Sequence, residues 1–483
     1  MTKSITLVAL ALAGCTSMDP HYVRPDPAIP VAWPVGDPYL RQSEATLPAV
    51  TYRDTFRDPR LQSLIEQALV NNRDLMVAAA NIAAARAQYK IQRASLLPQV
   101  GADVGVTVTP NPAAGASGVN TSYTAGIGVS GFELDLFGRI ASLTRAQLNR
   151  YLATEAGART TRLTLVADIA NAWLAYAADA SLLQIALDTA ANAERGVRLT
   201  GARLRGGIAP RTELRQAEQI LETARADLAN QRTAVAQDVN ALQLLVGMPV
   251  DPRLLPLSID DATPTVAQLP AGLNSDVLLR RPDVIEAEYQ LRAANAEIGA
   301  ARAALFPRIS LTGLFGFASN ALTGLFTGGA FTWSASGDAS YSIFSGGAAT
   351  ANVRLTKAER DAALATYQKA IQTAFREVSD ALARQGTIGD LQRAQQANLE
   401  AAADGYRLEE ARYREGIDPF LSVLVSQRSY YSAQQSLVLS KFVAASNLVT
   451  LYQVLGGDSL YQRDEVGADP GERASHPPSL PRQ

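Results

Sequence analysis

Few residues of this 483-residue chain have the type and setting to do chemistry, and their placement argues against catalysis. The two histidines, His21 and His476, lie in polar, proline-containing stretches near the termini, which removes most metal and histidine-base chemistry. Carboxylate pairs such as Asp260-Asp261 and Glu409-Glu410 fall on linker or helix, where adjacent charges read as a solvated face. The run Arg280-Arg281-Pro282-Asp283 could hold an anion; it reads equally as a helix start, with proline in the first position and aspartate in the first turn. With 44 basic and 46 acidic residues the net charge is −2, so nothing in the balance favours nucleic acid or another polyanion. The expectation is a protein without catalytic residues, metal or cofactor.

One residue does invite covalent chemistry. Cys15 is the only cysteine and cannot form an intrachain disulfide. Lys3 precedes an apolar run, Ile5 to Ala13, that is too short to span a bilayer, and small residues follow. The order Leu12-Ala13-Gly14-Cys15 resembles the bacterial lipobox, which implies a signal peptide over residues 1–14 and a lipid on Cys15 as the first mature residue. The alternative is a signal peptide cleaved nearby with Cys15 incidental. Thr16, rather than an aspartate, resembles lipoproteins sent on to an outer membrane.

The elements that surround these residues come in duplicate. Arg203-Leu204-Arg205-Gly206-Gly207-Ile208-Ala209-Pro210 returns as Arg412-Tyr413-Arg414-Glu415-Gly416-Ile417-Asp418-Pro419, an offset of 416 − 207 = 209. The same offset maps Leu97-Pro98-Gln99-Val100 onto Phe306-Pro307-Arg308-Ile309, Asp168 onto Glu377, and Leu245-Val246-Gly247 onto Val454-Leu455-Gly456. Matches in one register across the chain indicate two copies of one unit. The expected layout is a proline-rich extended arm over 15–57, a first repeat over 58–248, a connector over 249–275, a second repeat over 276–456 and a disordered tail over 457–483.

Each repeat opens with helix, Asp58-Pro59 supplying the first start. Each then changes to a period of two, in hairpins expected over 98–135 and 307–345. Val100, Ala102, Val104, Val106 and Val108 alternate with Gly101, Asp103, Gly105 and Thr107, and the strand from Tyr123 to Ser130 repeats the alternation. In the second copy Ile309 to Phe317 and Trp333 to Ile343 do the same. Runs of about ten residues with one apolar and one small-polar face suit tilted transmembrane strands between lipid and water. Soluble hairpins packed on helices are the alternative. Four strands cannot close a barrel, so in a membrane several chains would have to build one together.

After each hairpin a helical pattern runs from Arg139 to about Arg205 and from Ala348 to about Arg414, each on the order of 100 Å at 1.5 Å per residue. The seam through Leu364, Tyr367, Ile371, Ala374, Val378 and Ala381 has coiled-coil spacing, which a soluble bundle core would also explain. Glycine and proline at 206–210 and 416–419 then turn the chain into return helices, giving helical hairpins over 139–248 and 348–456.

With these pieces placed, the chain resembles the TolC family of trimeric outer-membrane factors, in the lipoprotein (NodT-type) branch that serves resistance-nodulation-division efflux systems. The lipobox carries the resemblance, with Tyr22-Val23-Arg24-Pro25, Phe56-Arg57-Asp58-Pro59-Arg60-Leu61, Glu133-Leu134-Asp135-Leu136-Phe137-Gly138-Arg139, Leu278-Leu279-Arg280-Arg281-Pro282-Asp283-Val284 and both hairpin tips. It implies a mainly α protein with a transmembrane β-barrel: a homotrimer closing twelve strands, lipid-anchored in the outer membrane, whose helices form a hollow periplasmic tunnel. It also implies a periplasmic membrane-fusion adaptor and an inner-membrane resistance-nodulation-division transporter as partners, and export of drugs or other toxic small molecules. The adaptor-docking tips would comprise Arg205, Gly207, Pro210, Arg414, Gly416 and Pro419. A gate would comprise Leu421, Leu424, Val425 and Arg428, with Val425 standing where relatives often place an aspartate. A type I protein-secretion conduit and a non-conducting structural lipoprotein remain as alternatives.

Overall fold

The computed structural model describes residues 17–27, 29–30, 51–111, 118–263, 275–327 and 329–457. Cys15, the signal segment, His476 and the tail beyond Gly457 lie outside the described residues, as do 264–274 of the connector.

The helices are α1 (Tyr52–Thr55), α2 (Pro59–Asn71), α3 (Arg73–Ala94), α4 (Arg139–Arg205), α5 (Arg211–Val246), α6 (Ile259–Ala262), α7 (Pro282–Ala303), α8 (Ala348–Arg414) and α9 (Phe420–Val454). The strands are β1 (Val100–Pro110), β2 (Val119–Leu134), β3 (Arg308–Ser319) and β4 (Phe331–Ser340). The duplication is visible in the backbone. Helices α4 and α8 each have 67 residues and keep the sequence offset. Gly138 and Gly347, Gly207 and Gly416, and Gly247 and Gly456 are offset pairs, and all six have positive φ. These turns demand a left-handed residue, which only glycine supplies at little cost.

The chain divides into two compact units. The first comprises Met1–Asp26, Ala80–Glu155 and Glu286–Lys369. Its sheet is antiparallel with strand order β1-β2-β3-β4. The apolar alternation fixes the register: Val104 opposes Ala125, Ala125 opposes Phe317, and Phe317 opposes Phe331, so one face gathers the large apolar side chains. The structure adds two features, a bulge in β2 and an earlier end to β4. Strand β2 continues to Leu134 through a bulge between Val129 and Phe132, where Gly131 has φ +64°, and this extra residue keeps Phe132 and Leu134 on the apolar face opposite Leu311 and Ile309. Strand β4 stops at Ser340, not Ile343, because Ser340 pairs with Arg308, the first residue of β3, and the ladder offers nothing further; Ile343 is 93% exposed.

The N-terminal arm is fastened in the same unit. Glu288 on α7, its side chain 4% exposed, accepts from the Tyr22 hydroxyl and pairs with the guanidiniums of Arg24 and Arg292. Arg292 also stacks over the Tyr22 ring at 4.9 Å. Further up the arm, Asp19 accepts from the Ser142 hydroxyl and from Arg145, and Asn295 donates to the Pro20 carbonyl.

The second unit comprises Pro27–Ala79, Ala156–Ile285 and Ala370–Gln483. Asp58 caps α2 by accepting from the Arg60 amide, and Leu61, Leu64 and Ile65 of that helix are buried against Trp173, Leu242, Val449 and Tyr452. The repeat relation persists in its hydrogen bonds. Asn72 donates to the Leu245 carbonyl at 2.8 Å, and Arg281, at the offset position, donates to the Val454 carbonyl at 2.9 Å. Each side chain, just before a helix, ties off the carboxyl end of a hairpin's return helix, where carbonyls lack helical partners. Arg281 is also bonded to Asp283 and Glu377, so its donors face protein acceptors, as befits a helix start and not an anion site.

Candidate functional site

The two hairpin tips share one local construction. At the first, the Ile208 amide donates to the Arg203 carbonyl and the Gly207 amide to that of Leu204; at the second, Ile417 donates to Arg412 and Gly416 to Tyr413. Six-to-one and five-to-two bonds around a left-handed glycine form a Schellman termination, which satisfies helix-end carbonyls and reverses the chain. Pro210 and Pro419 take the N-cap positions of the return helices, one residue earlier than a first-turn proline. Arg205 and Arg414 are exposed, Arg414 holding Glu410 at 2.7 Å, and Arg412 pairs with Asp418 across the second tip. The apolar tip residues Ile208 and Ile417 are 71% and 62% exposed, a signal present in the repeat motif but not singled out from sequence.

Behind the tips the two hairpins are packed together. Tyr413, Phe420, Val423 and Leu424 of the second are buried with Ala217 of the first, and Val197, Ile220 and Tyr406 flank them. The Tyr413 ring lies 5.2 Å from Phe420 and beneath the Arg203 guanidinium at 4.7 Å, and its hydroxyl donates to Glu213 at 3.3 Å. Burial, then the charge of Glu213, raises the Tyr413 pKa. This core divides the residues grouped from sequence. Leu421 and Val425 are 56% and 57% exposed and Arg428 is exposed, whereas Leu424 is buried among Tyr413, Phe420 and Ala217. Phe420 and Leu424, four residues apart, share the buried side of α9, whereas Leu421 and Val425, each one residue further on, share the adjacent exposed stripe, so Leu424 does not stand with the other three.

The sheet presents two chemically distinct faces. Ile127, Phe315 and Trp333 form one rung of the apolar face and are 59%, 57% and 66% exposed. On the other face lie Asp103, Thr124, Ser310, Thr312, Ser334 and Asp338 with many glycines, and also Leu314, which breaks the alternation read from sequence. Here Gly126 opposes Gly316, and a β-carbon at Gly316 would lie 2.4 Å from the Ala125 carbonyl oxygen. At the base, Arg139 forms a bidentate pair with Glu133, and Asp135 accepts from the Ile140 and Ala141 amides to cap α4.

A two-faced antiparallel sheet of transmembrane length, joined in each repeat to a very long helical hairpin, defines a protomer of the outer-membrane channel class. The chain belongs to the outer membrane efflux protein family, whose model matches it twice, at residues 64–248 and 273–457. It is 43% identical over 467 residues to two proteins of Pseudomonas putida, the antibiotic efflux pump outer membrane protein ArpC and the toluene efflux pump outer membrane protein TtgC, covering 95% of this chain and 96% of each relative. The open state of the MtrE outer membrane channel of Neisseria gonorrhoeae is a similar solved structure, with 34% identity, a TM-score of 0.82, and coverage of 92% of this chain and 99% of that one. The protein is thus an outer-membrane efflux component, and members of its family are channels, not enzymes.

Proposed function

We propose that three copies of this chain close one twelve-stranded barrel and one helical tunnel, forming a passive conduit without catalytic step or cofactor. The observation that carries the reading is the sheet: its apolar face is exposed, and its described strand order leaves β1 and β4 at the two edges. Unpaired edges are untenable in hydrocarbon, and 3 × 4 strands fall within the even-numbered range of bacterial barrels. The tips at Gly207 and Gly416 dock a periplasmic membrane-fusion adaptor that links the conduit to an inner-membrane resistance-nodulation-division transporter. Threefold symmetry brings Leu421, Val425 and Arg428 together as the resting gate, with Leu424 serving as the packing beneath it. Closure rests on apolar contact, since Val425 brings no carboxylate, and such a constriction blocks ions by dewetting.

Cys15 carries the lipid that anchors the arm. The cargo is apolar small molecules, in keeping with relatives named for toluene and antibiotic efflux. The test is single-channel recording of purified protein in a planar bilayer. A small resting conductance that rises in the Leu421→Ser variant is the expected result; a protein that never conducts in either form refutes the conduit.

A further inference from the structure

The apolar face of the sheet contains a hollow of ≈ 480 Å³ beside the β2 bulge. Two rungs make it. Val129, Gly313 and Ala335 lie across one, and Phe132, Leu311 and Gly337 across the next. The small residues form the floor, and Val129, Phe132 and Leu311 stand as walls. The rung above, Ile127, Phe315 and Trp333, is large throughout and ends the hollow on that side. A β-carbon at Gly313 would meet nothing within 4 Å, so this glycine is not required by packing within the chain. Its φ is not positive either. The space is therefore available to a ligand, and none of its lining residues is charged.

The arm leads toward this place. Asp19 lies so close to Gly299 of α7 that a β-carbon there would overlap its carboxylate, and its contacts with Ser142 and Arg145 hold it on the first turns of α4. Ser17 accepts from Arg145 at 2.6 Å. These helix ends continue into β2 and β3, with Phe132 three residues before the capping Asp135 and Leu311 three residues after Arg308. Cys15 is two residues from Ser17, at most about 7 Å of extended chain. An acyl chain spans about half of the ~30 Å hydrocarbon core.

We infer that the hollow is a binding site for an acyl chain carried by Cys15 of the same protomer. This rests on the proposed lipidation and on the apolar face meeting lipid. Two features favour the tethered chain over a free membrane lipid. Tethering raises its effective concentration at the site, and the uncharged lining offers an anionic headgroup no handle. The seat would fix the anchor against the barrel instead of leaving it loose in the bilayer.

The test uses the full chain in its own outer membrane, with benzoylphenylalanine in place of Phe132 and irradiation before purification. Mass spectrometry of the digest should find the β2 peptide joined to the lipidated amino-terminal peptide, and Gly313→Leu, which fills the hollow, should abolish that product. Cross-links to phospholipid alone, with Cys15 fully acylated in the same digest, overturn the site and leave lipidation standing. An unmodified Cys15 overturns both.

Discussion

At the scale of single residues, two carboxyls, one buried and one half-buried, have opposite settings. Burial pushes the Glu288 carboxyl up, but hydrogen bonds from Arg24 and Arg292 and their charges outweigh it and hold the group below the usual carboxylate range. Its contribution to holding the arm is therefore present above that ordinary range, near 4, and is lost as pH falls through the depressed folded value. Glu288→Gln should weaken the arm by roughly 2–3 kcal/mol, less than a fully orphaned buried charge because Arg24 and Arg292 are 40% and 39% exposed. Hydrogen exchange of residues 17–26 should quicken at pH 7 in the variant and only below pH 4 in the wild type. Unchanged protection in the variant would remove the clasp. Asp238 is the reverse case: burial, then the charge and hydrogen bond of Asp179, push it up to about 7. The folded state keeps a proton that the unfolded chain releases near 4, so this contribution is complete below that value and is lost as pH rises toward 7. Asp238→Asn should raise the melting temperature most at pH 8, with the gain shrinking by pH 5; a gain independent of pH would contradict the assignment.

Among the elements, the β2–β3 junction and the second hairpin tip carry the sharpest expectations. A methyl at Gly316 would lie 2.4 Å from the Ala125 oxygen and 2.6 Å from the Gly126 α-carbon, both backbone atoms that cannot swing aside. Gly316→Ala should cost ~1–3 kcal/mol as overpacking and lower the temperature at which the assembled barrel dissociates on a gel, whereas Gly313→Ala, facing open space, should not. Equal effects at the two glycines would mean that the close approach is relaxed in the membrane. At the tip, Leu421 is exposed and Leu424 is buried, and their variants should differ in kind. Leu421→Ser should raise conductance several-fold with unchanged stability. Leu424→Ser should instead loosen the packing of the two hairpins by about 2–4 kcal/mol, because it removes a buried side chain from the Tyr413 and Phe420 core. Val425→Asp is expected to be tolerated or to add cation binding at the constriction. If Leu421→Ser conducts like the wild type, the gate lies elsewhere.

For the whole molecule, the stoichiometry is the decisive quantity. A sheet whose edges are β1 and β4, and whose apolar face carries Trp333 at 66% and Val104 at 83% exposure, leaves both edges and that face to be covered, which the proposed barrel does with strands of other copies and with lipid. Native mass measurement in mild detergent should give a trimer, and deletion of β4 should leave monomers outside the membrane fraction. A stable, membrane-inserted monomer would refute the shared barrel.

What the sequence by itself determined is everything set by local chemistry repeated at a fixed offset. The glycines at 138, 207 and 247 return at 347, 416 and 456 because a left-handed turn can be read from one residue, and the strands and long helices follow from periods of two and of three to four. Tertiary structure decided what depends on partners distant in the chain. The extent of β4 is set by where β3 begins, the bulge at Gly131 by the need to keep Phe132 opposite Leu311, and the inward turn of Leu424 by a tyrosine on another helix. The equivalence of Asn72 and Arg281 is of the same kind. Two unlike side chains answer the same need, a carbonyl without a helical partner, and that need exists only once the return helix has ended beside them.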